Sequence, residues 1–112
     1  MVAAANPHAA EAGRHILRRG GNAVDAAITM QMVLNLVEPQ SSGIGGGGFL
    51  LYYDSASDEL STYDGRETAP AGATGDMFLG FFEEPQAFFE AVVGGKSVGV
   101  PGLLRMLELA HQ

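Results

Sequence analysis

The alternation of apolar and polar positions predicts two helices at the start of the chain. Asn6-Pro7 opens the first, because Asn6 can cap a helix and proline is well suited to the first helical position. Gly20-Gly21 ends this helix, and Asn22 then caps a second one that runs from Ala23 to Val37. The second helix is apolar around nearly its whole circumference, which is typical of a helix buried on both sides.

The rest of the chain predicts short strands and one further helix. Phe49–Asp54 and Leu60–Tyr63 are rich in aromatic and aliphatic residues and are separated by a polar turn, so they form a predicted hairpin. Asp76 is a possible cap for the short apolar segment Met77–Leu79. Two further elements are predicted, a short strand at Ser97–Val100 and a last helix at Leu103–His111.

A run of glycines lies between the second helix and the hairpin. Gly43, Gly45 and Gly48 match the dinucleotide-binding pattern G-x-G-x-x-G. That function requires a strand before the loop and a helix after it, whereas here a helix precedes and a strand follows. We therefore expect the run Gly45–Gly48 to allow close approach of another backbone segment or a ligand.

The segment Asp64–Pro70 is the strongest candidate for chemistry. It places Arg66 between two carboxylates, at the end of a predicted strand. The planar guanidinium binds carboxylates at two points and stays charged at any working pH. Arg66 is therefore a candidate anchor for a substrate carboxylate. The alternative is that it only pairs with Asp64 or Glu67 to hold the loop together.

The composition of the chain argues against several classes of function. The 112 residues fit at most one domain, and the net charge of −7 argues against nucleic-acid binding. There is no cysteine, and His8, His15 and His111 do not form a metal-ligand pattern. No apolar run approaches the length of a membrane span, and the first residues do not resemble a signal peptide. We expect no metal and no cofactor.

Four phrases, in this order, resemble the large subunit of the gamma-glutamyltransferase family, also called gamma-glutamyltranspeptidase or glutathione hydrolase. Any one of them is weak, but four in the right order are specific, and together they span nearly the whole chain. They are Ile16-Leu17-Arg18-Arg19-Gly20-Gly21-Asn22-Ala23-Val24-Asp25-Ala26-Ala27, Glu38-Pro39 with Ser41-Ser42-Gly43-Ile44-Gly45-Gly46-Gly47-Gly48-Phe49, Asp64-Gly65-Arg66-Glu67-Thr68-Ala69-Pro70, and Ser97-Val98-Gly99-Val100-Pro101-Gly102.

The resemblance implies an α+β fold of the N-terminal-nucleophile hydrolase type, a four-layer αββα sandwich. Residues 1–112 are expected to be the N-terminal part of a large-subunit domain, with no internal boundary. Family members cleave their own precursor, and the new N-terminal threonine of the small subunit attacks the gamma-glutamyl amide of glutathione-like compounds. Water or an amino acid then accepts the acyl group. The matching arginine, here Arg66, binds the alpha-carboxylate of the glutamyl group.

The same resemblance sets expectations about partners. The remainder of the large subunit and the threonine-headed small subunit are expected to complete the enzyme, and a periplasmic or extracellular location is favoured. None of Thr29, Thr62, Thr68 and Thr74 heads a chain, so the 112 residues alone are expected to be inactive and poorly folded. Two alternatives stay open at this point. One is a cephalosporin or glutaryl acylase of the same superfamily, and the other is an inactive truncated remnant.

Overall fold

The structure is a computed structural model that describes all of residues 1–112. The chain begins with a pair of packed helices. Helix α1 spans Pro7–Arg18 and helix α2 spans Ala23–Val37, as expected from their caps. The Asn6 side chain accepts a hydrogen bond from the backbone N–H of His8, and Asn22 and Asp25 form a reciprocal capping box at the start of α2. These caps satisfy N–H groups that have no partner inside a helix, which explains why the helices begin there.

The predicted hairpin is confirmed and lies against the last helix. Strand β1 spans Phe49–Asp54 and strand β2 spans Glu59–Asp64, and they pair antiparallel from Phe49 opposite Asp64 to Asp54 opposite Glu59. Helix α4 spans Leu103–His111 and buries one face between the hairpin and α2. The small core of the chain consists of Leu103, Met106 and Leu107, with Ile28, Leu50 and Tyr63 packed against them.

Between the hairpin and α4, two predictions were wrong and one helix was missed. Ser97–Val100 is not a strand: Gly95–Ser97 form a 3-10 turn, and Val100 makes only an isolated bridge to Thr68. Met77 and Phe78 lie in a turn and Leu79 forms an isolated bridge to Pro85, so this segment is not a capped helix. A five-residue helix, α3, spans Phe88–Val92 and was not predicted. Ala87 stands at its cap position and forms no side-chain cap, so the sequence lacks the strongest signal for the start of a helix.

The chain is unusually open for its size. Its accessible surface is 8121 Å², whereas a compact protein of 11.7 kDa exposes roughly 5,900 Å². The Cα radius of gyration is 18.1 Å, against about 13 Å for a compact domain of this length. No helix within residues 1–112 is both long and apolar enough to cross a membrane.

Much of the excess surface belongs to helices that have only one covered side. Helix α2 packs on α1 along one face, but Leu36 is 82% exposed. Met32 on α2 and Leu104 on α4 are also exposed, and a groove of about 340 Å³ runs between these two helices. We call Met32, Leu36 and Leu104 the outer helix face. The expectation that both sides of α2 are buried is therefore not met within residues 1–112.

Candidate functional site: the Arg66 loop and its cleft

The loop that carries Arg66 begins where the hairpin ends. Beyond the last strand pair, Gly48 and Gly65 exchange two backbone hydrogen bonds, with N···O distances of 3.1 and 2.9 Å. Arg66 is therefore the first residue past the paired backbone. Its own N–H donates to the Asp64 carboxylate at 2.9 Å, which turns the chain away from the sheet. The position of Arg66 at the end of a strand follows from these bonds.

Four glycines enclose this loop closely, and we call Gly46, Gly47, Gly99 and Gly102 the glycine frame. A Cβ placed on Gly47 would lie 2.5 Å from the Gly65 carbonyl oxygen and 2.6 Å from a Glu67 carboxylate oxygen. A Cβ on Gly102 would also lie 2.5 Å from that carbonyl oxygen. Such separations are far below contact distance, so only glycine fits at these positions.

The expectation of close backbone approach is thus confirmed for part of the glycine run only. Gly46 and Gly47 lie against the Arg66 loop, and Gly48 approaches the side chain of Leu103 in α4. A Cβ on Gly43 or on Gly45 would meet no atom within 4 Å. The sequence pattern alone did not distinguish these two groups of glycines.

Backbone hydrogen bonds hold the frame together. Thr68 and Val100 exchange two of them, at 3.3 and 2.8 Å, on one side of the loop. On the other side, the N–H groups of Gly102 and Leu103 both donate to the Gly46 carbonyl at 3.2 Å. These main-chain hydrogen bonds therefore fix the loop between the glycine run and the start of α4.

The Arg66 side chain points out of this frame while keeping one internal partner. It is 63% exposed, and its Nη1 lies 3.3 Å from Oε2 of Glu67, whose side chain is 31% exposed. That Oε2 atom is itself buried and has no hydrogen-bond partner. Arginine has five N–H donors, so an approach to one carboxylate oxygen leaves most of them free for a ligand. The loop-staple contact and an anchor role are therefore compatible.

A cleft of about 350 Å³ opens beside Arg66. The loop forms one wall, and Met77, Phe78 and residues 96–99 form the other. Lys96 also lies 5.5 Å from the centre of the Phe78 ring, at cation–π distance. Sequence reasoning did not single out Lys96, although a charged residue directly after Gly94-Gly95 marks an exposed turn. It also missed the contacts of Gly99 and Gly102.

Of the threonines and histidines named in the sequence analysis, only Thr68 lies at this cleft. Thr68 lines the cleft and is fixed there by its bridge to Val100. His8 and His15 lie on α1, whereas His111 at the end of α4 lies 3.2 Å from the Asp25 carboxylate. No group of three histidine, aspartate or glutamate side chains is arranged to hold a metal ion.

Comparison with known proteins assigns the chain to a family. The family model for gamma-glutamyltranspeptidase matches residues 9–112. The chain is 52% identical over 110 residues to the glutathione hydrolase proenzyme of Bacillus subtilis strain 168, covering 98% of this chain and 19% of that protein. The chain belongs to the gamma-glutamyltranspeptidase family.

Solved structures support the same assignment. A gamma-glutamyltranspeptidase from Pseudomonas nitroreducens, complexed with L-DON, matches with a TM-score of 0.91 and 40% identity, covering 99% of this chain and 32% of that one. The Helicobacter pylori gamma-glutamyltranspeptidase gives a TM-score of 0.89 at 35% identity, covering 97% and 31%. The mixed α and β arrangement described above is thus that of the corresponding part of these enzymes. The chain spans about a fifth of the length of the curated relative and about a third of the solved chains.

Proposed function

We propose that the whole protein containing this chain is a gamma-glutamyltransferase or glutathione hydrolase. It cleaves the gamma-glutamyl amide of glutathione-like compounds and transfers the glutamyl group to water, an amino acid or a peptide. Residues 1–112 contribute Arg66, which binds the alpha-carboxylate of that group. The observation that carries this role is an exposed guanidinium at a cleft, on a loop fixed by the glycine frame.

The geometry suits an anchor for physical reasons. A binding residue must be held in place before the ligand arrives, since ordering a long side chain on binding costs free energy. The main-chain contacts of the loop fix the backbone of Arg66, and Glu67 opposes its charge at 3.3 Å. The free N–H groups can then bind both oxygens of a carboxylate, which adds orientation to charge attraction.

The open surfaces support a larger architecture around this chain. We propose that residues 1–112 form part of one large-subunit domain and contribute helices and the hairpin to a four-layer αββα sandwich. The remainder of the protein covers the outer helix face, which accounts for an accessible surface well above that of a compact chain. The nucleophile is a threonine outside residues 1–112, at the head of a small subunit released by self-cleavage.

Substitution of Arg66 in the full-length protein tests the anchor. Arg66→Ala leaves the substrate carboxylate desolvated without a partner, and each such charge-assisted bond contributes about 1.5–3 kcal/mol. We expect kcat/KM to fall by about two to four orders of magnitude. Arg66→Lys restores the charge without the two-point geometry and should give an intermediate value.

A second substrate provides the control for this experiment. A gamma-glutamyl analogue that lacks the alpha-carboxylate should respond little to Arg66→Ala, because it never used the guanidinium. If Arg66 serves only to pair with Glu67, both substrates lose activity equally and the melting temperature falls. Equal losses on the two substrates would therefore contradict the anchor role.

The proposed location of the nucleophile has its own test. Purified residues 1–112 should release no product from a gamma-glutamyl anilide, whereas the full-length protein should turn it over. Steady turnover by the 112-residue chain, free of contaminating enzyme, would overturn this part of the proposal.

A further inference from the structure

The cleft beside Arg66 contains a second cation without an ion-pair partner. Lys96 is the only lysine among the six cationic residues of the chain, and it lines the same cleft as Arg66. Three arginines, Arg14, Arg66 and Arg105, form ion pairs within 4.0 Å, and none of these pairs involves Lys96. The Glu67 carboxylate lines the same cleft and is paired with Arg66, so two cations stand against one carboxylate there. In a chain with a net charge of −7, this local excess of positive charge suits a ligand with negative groups.

The position of Lys96 is fixed by its local structure. It is the middle residue of the 3-10 turn Gly95–Ser97, and Gly94 before it has a φ of +115°, which favours glycine. The Ser97 hydroxyl donates to the carbonyls of Val92 at 2.7 Å and of Gly94 at 3.1 Å. These bonds hold the turn, so the base of the lysine side chain has a defined place at the cleft.

The ammonium group itself is positioned but not neutralised. It lies 5.5 Å from the centre of the Phe78 ring, a contact that orients a cation without using up its N–H donors. The positive charge of Lys96 acts on the nearby carboxylate of Asp76. The pKa of Asp76 is lowered chiefly by a hydrogen bond from Thr74, and Lys96 adds a smaller effect through its charge alone. Lys96 therefore keeps its donors available to a ligand.

We infer that Lys96 binds a second carboxylate of the substrate, on the part that leaves when the gamma-glutamyl amide is cleaved. The inference rests on the proposed function, in which Arg66 holds the first carboxylate of the same molecule. A cleft of about 350 Å³ lies within the usual range of ligand pockets, roughly 300–1,000 Å³. The site thereby selects gamma-glutamyl peptides with a free C-terminal carboxylate over uncharged amides.

A pair of matched donors tests this selection in the full-length protein. One donor is a gamma-glutamyl dipeptide with a free C-terminal carboxylate, and the other is the same compound as its C-terminal carboxamide. We expect wild-type kcat/KM to favour the free acid by about fivefold to thirtyfold. Lys96→Met should remove this preference by raising KM for the acid alone, while Lys96→Arg should retain it.

Arg19→Met provides the matched loss of one positive charge, since Arg19 is exposed at the end of α1 and does not line the cleft. This variant should keep the wild-type preference. If Arg19→Met removes the preference as well, overall charge explains the effect and the inference is overturned. If Lys96→Met lowers kcat/KM equally for the two donors, Lys96 only packs on Phe78, and the inference is again overturned.

Wild-type protein alone can decide the matter if Lys96→Met does not fold. The preference for the free acid should shrink as salt is raised from about 0.05 to 0.5 M, because the second pair is partly exposed. Absence of any preference at low salt overturns the inference but leaves the Arg66 role intact. Failure of the wild type to cleave either donor removes the proposed function, and this inference with it.

Discussion

The Arg66 loop and the outer helix face differ in how far other residues of this chain cover them. The loop is enclosed by the glycine frame, with backbone hydrogen bonds on both sides. The outer helix face is apolar and open, although α2 is otherwise well capped and regular. Main-chain contacts inside residues 1–112 thus hold the Arg66 loop in place, whereas the outer helix face has no covering contacts within these residues.

The largest expected effect on stability comes from breaking the glycine frame. In the full-length protein, Gly47→Ala places a methyl group 2.5 Å from the Gly65 carbonyl oxygen. Because that obstacle is backbone, it cannot move aside cheaply, and we expect a loss of about 3 kcal/mol in the free energy of unfolding. Chemical denaturation measures this loss, and activity should fall with it as the Arg66 loop shifts.

Gly45→Ala is the matched control, because a Cβ there meets nothing within 4 Å and the φ of Gly45 is not positive. It should change stability by less than about 0.5 kcal/mol. Equal effects of the two substitutions would show that the glycine frame does not hold the loop as described.

A smaller effect is expected at the outer helix face. Leu36 is 82% exposed here, so its truncation would cost little if that surface met only water. If the remainder of the protein covers it, Leu36→Ala in the full-length protein should lower the free energy of unfolding by about 2–3 kcal/mol. Leu107→Ala, at a position already buried in α4, provides the comparison. A loss near zero for Leu36→Ala beside a large loss for Leu107→Ala would contradict the proposed covering layer.

The smallest effect concerns the contact that joins the start of α1 to the end of α2. The Glu38 carboxylate accepts hydrogen bonds from Asn6 at 3.0 Å and from Gln40 at 2.6 Å, and these lower its pKa below the ordinary 4.5, with Asn6 the larger cause. A lowered pKa stabilises the fold above the unfolded-state value, and this contribution is lost as pH falls through the folded-state value.

Glu38→Gln should therefore reduce stability slightly near neutral pH and lose its effect in acid. Unfolding curves of wild type and variant, collected from pH 7 down to about pH 3, should converge at the acid end. A difference that stays constant over this range would show that the carboxylate charge plays no part in the contact.

Local signals explain how much of this fold could be predicted from the sequence. Helix α2 was predicted with its observed bounds because its start and end are set by residues close together in sequence. Asn22 and Asp25 form the capping box, and Glu38-Pro39 ends the helix. The hairpin followed from its composition and turn. Ser97–Val100 resembles a strand but finds only Thr68 as a partner, so it forms a single bridge. A strand needs a neighbour, and sequence alone does not show one.

The residues of the candidate site also fall into two groups, those that sequence neighbours reveal and those that only the fold brings together. Arg66 could be singled out because its carboxylate neighbours and the closing Pro70 are adjacent in sequence. Lys96 lines the same cleft as the loop, and Gly99 and Gly102 contact the loop itself, although all three lie some thirty residues further along the chain. Nothing in the glycine run indicates that Gly47, rather than Gly45, contacts Glu67. Such pairings arise from the fold as a whole.

The most direct measurement is a crystal structure of the full-length protein with a gamma-glutamyl compound bound. We predict that two N–H groups of Arg66 lie about 2.7–2.9 Å from the two oxygens of the ligand's alpha-carboxylate. We also expect the glycine frame and the Glu67 carboxylate to keep their present arrangement. An alpha-carboxylate bound elsewhere, with the Arg66 guanidinium still paired only to Glu67, would contradict the central claim.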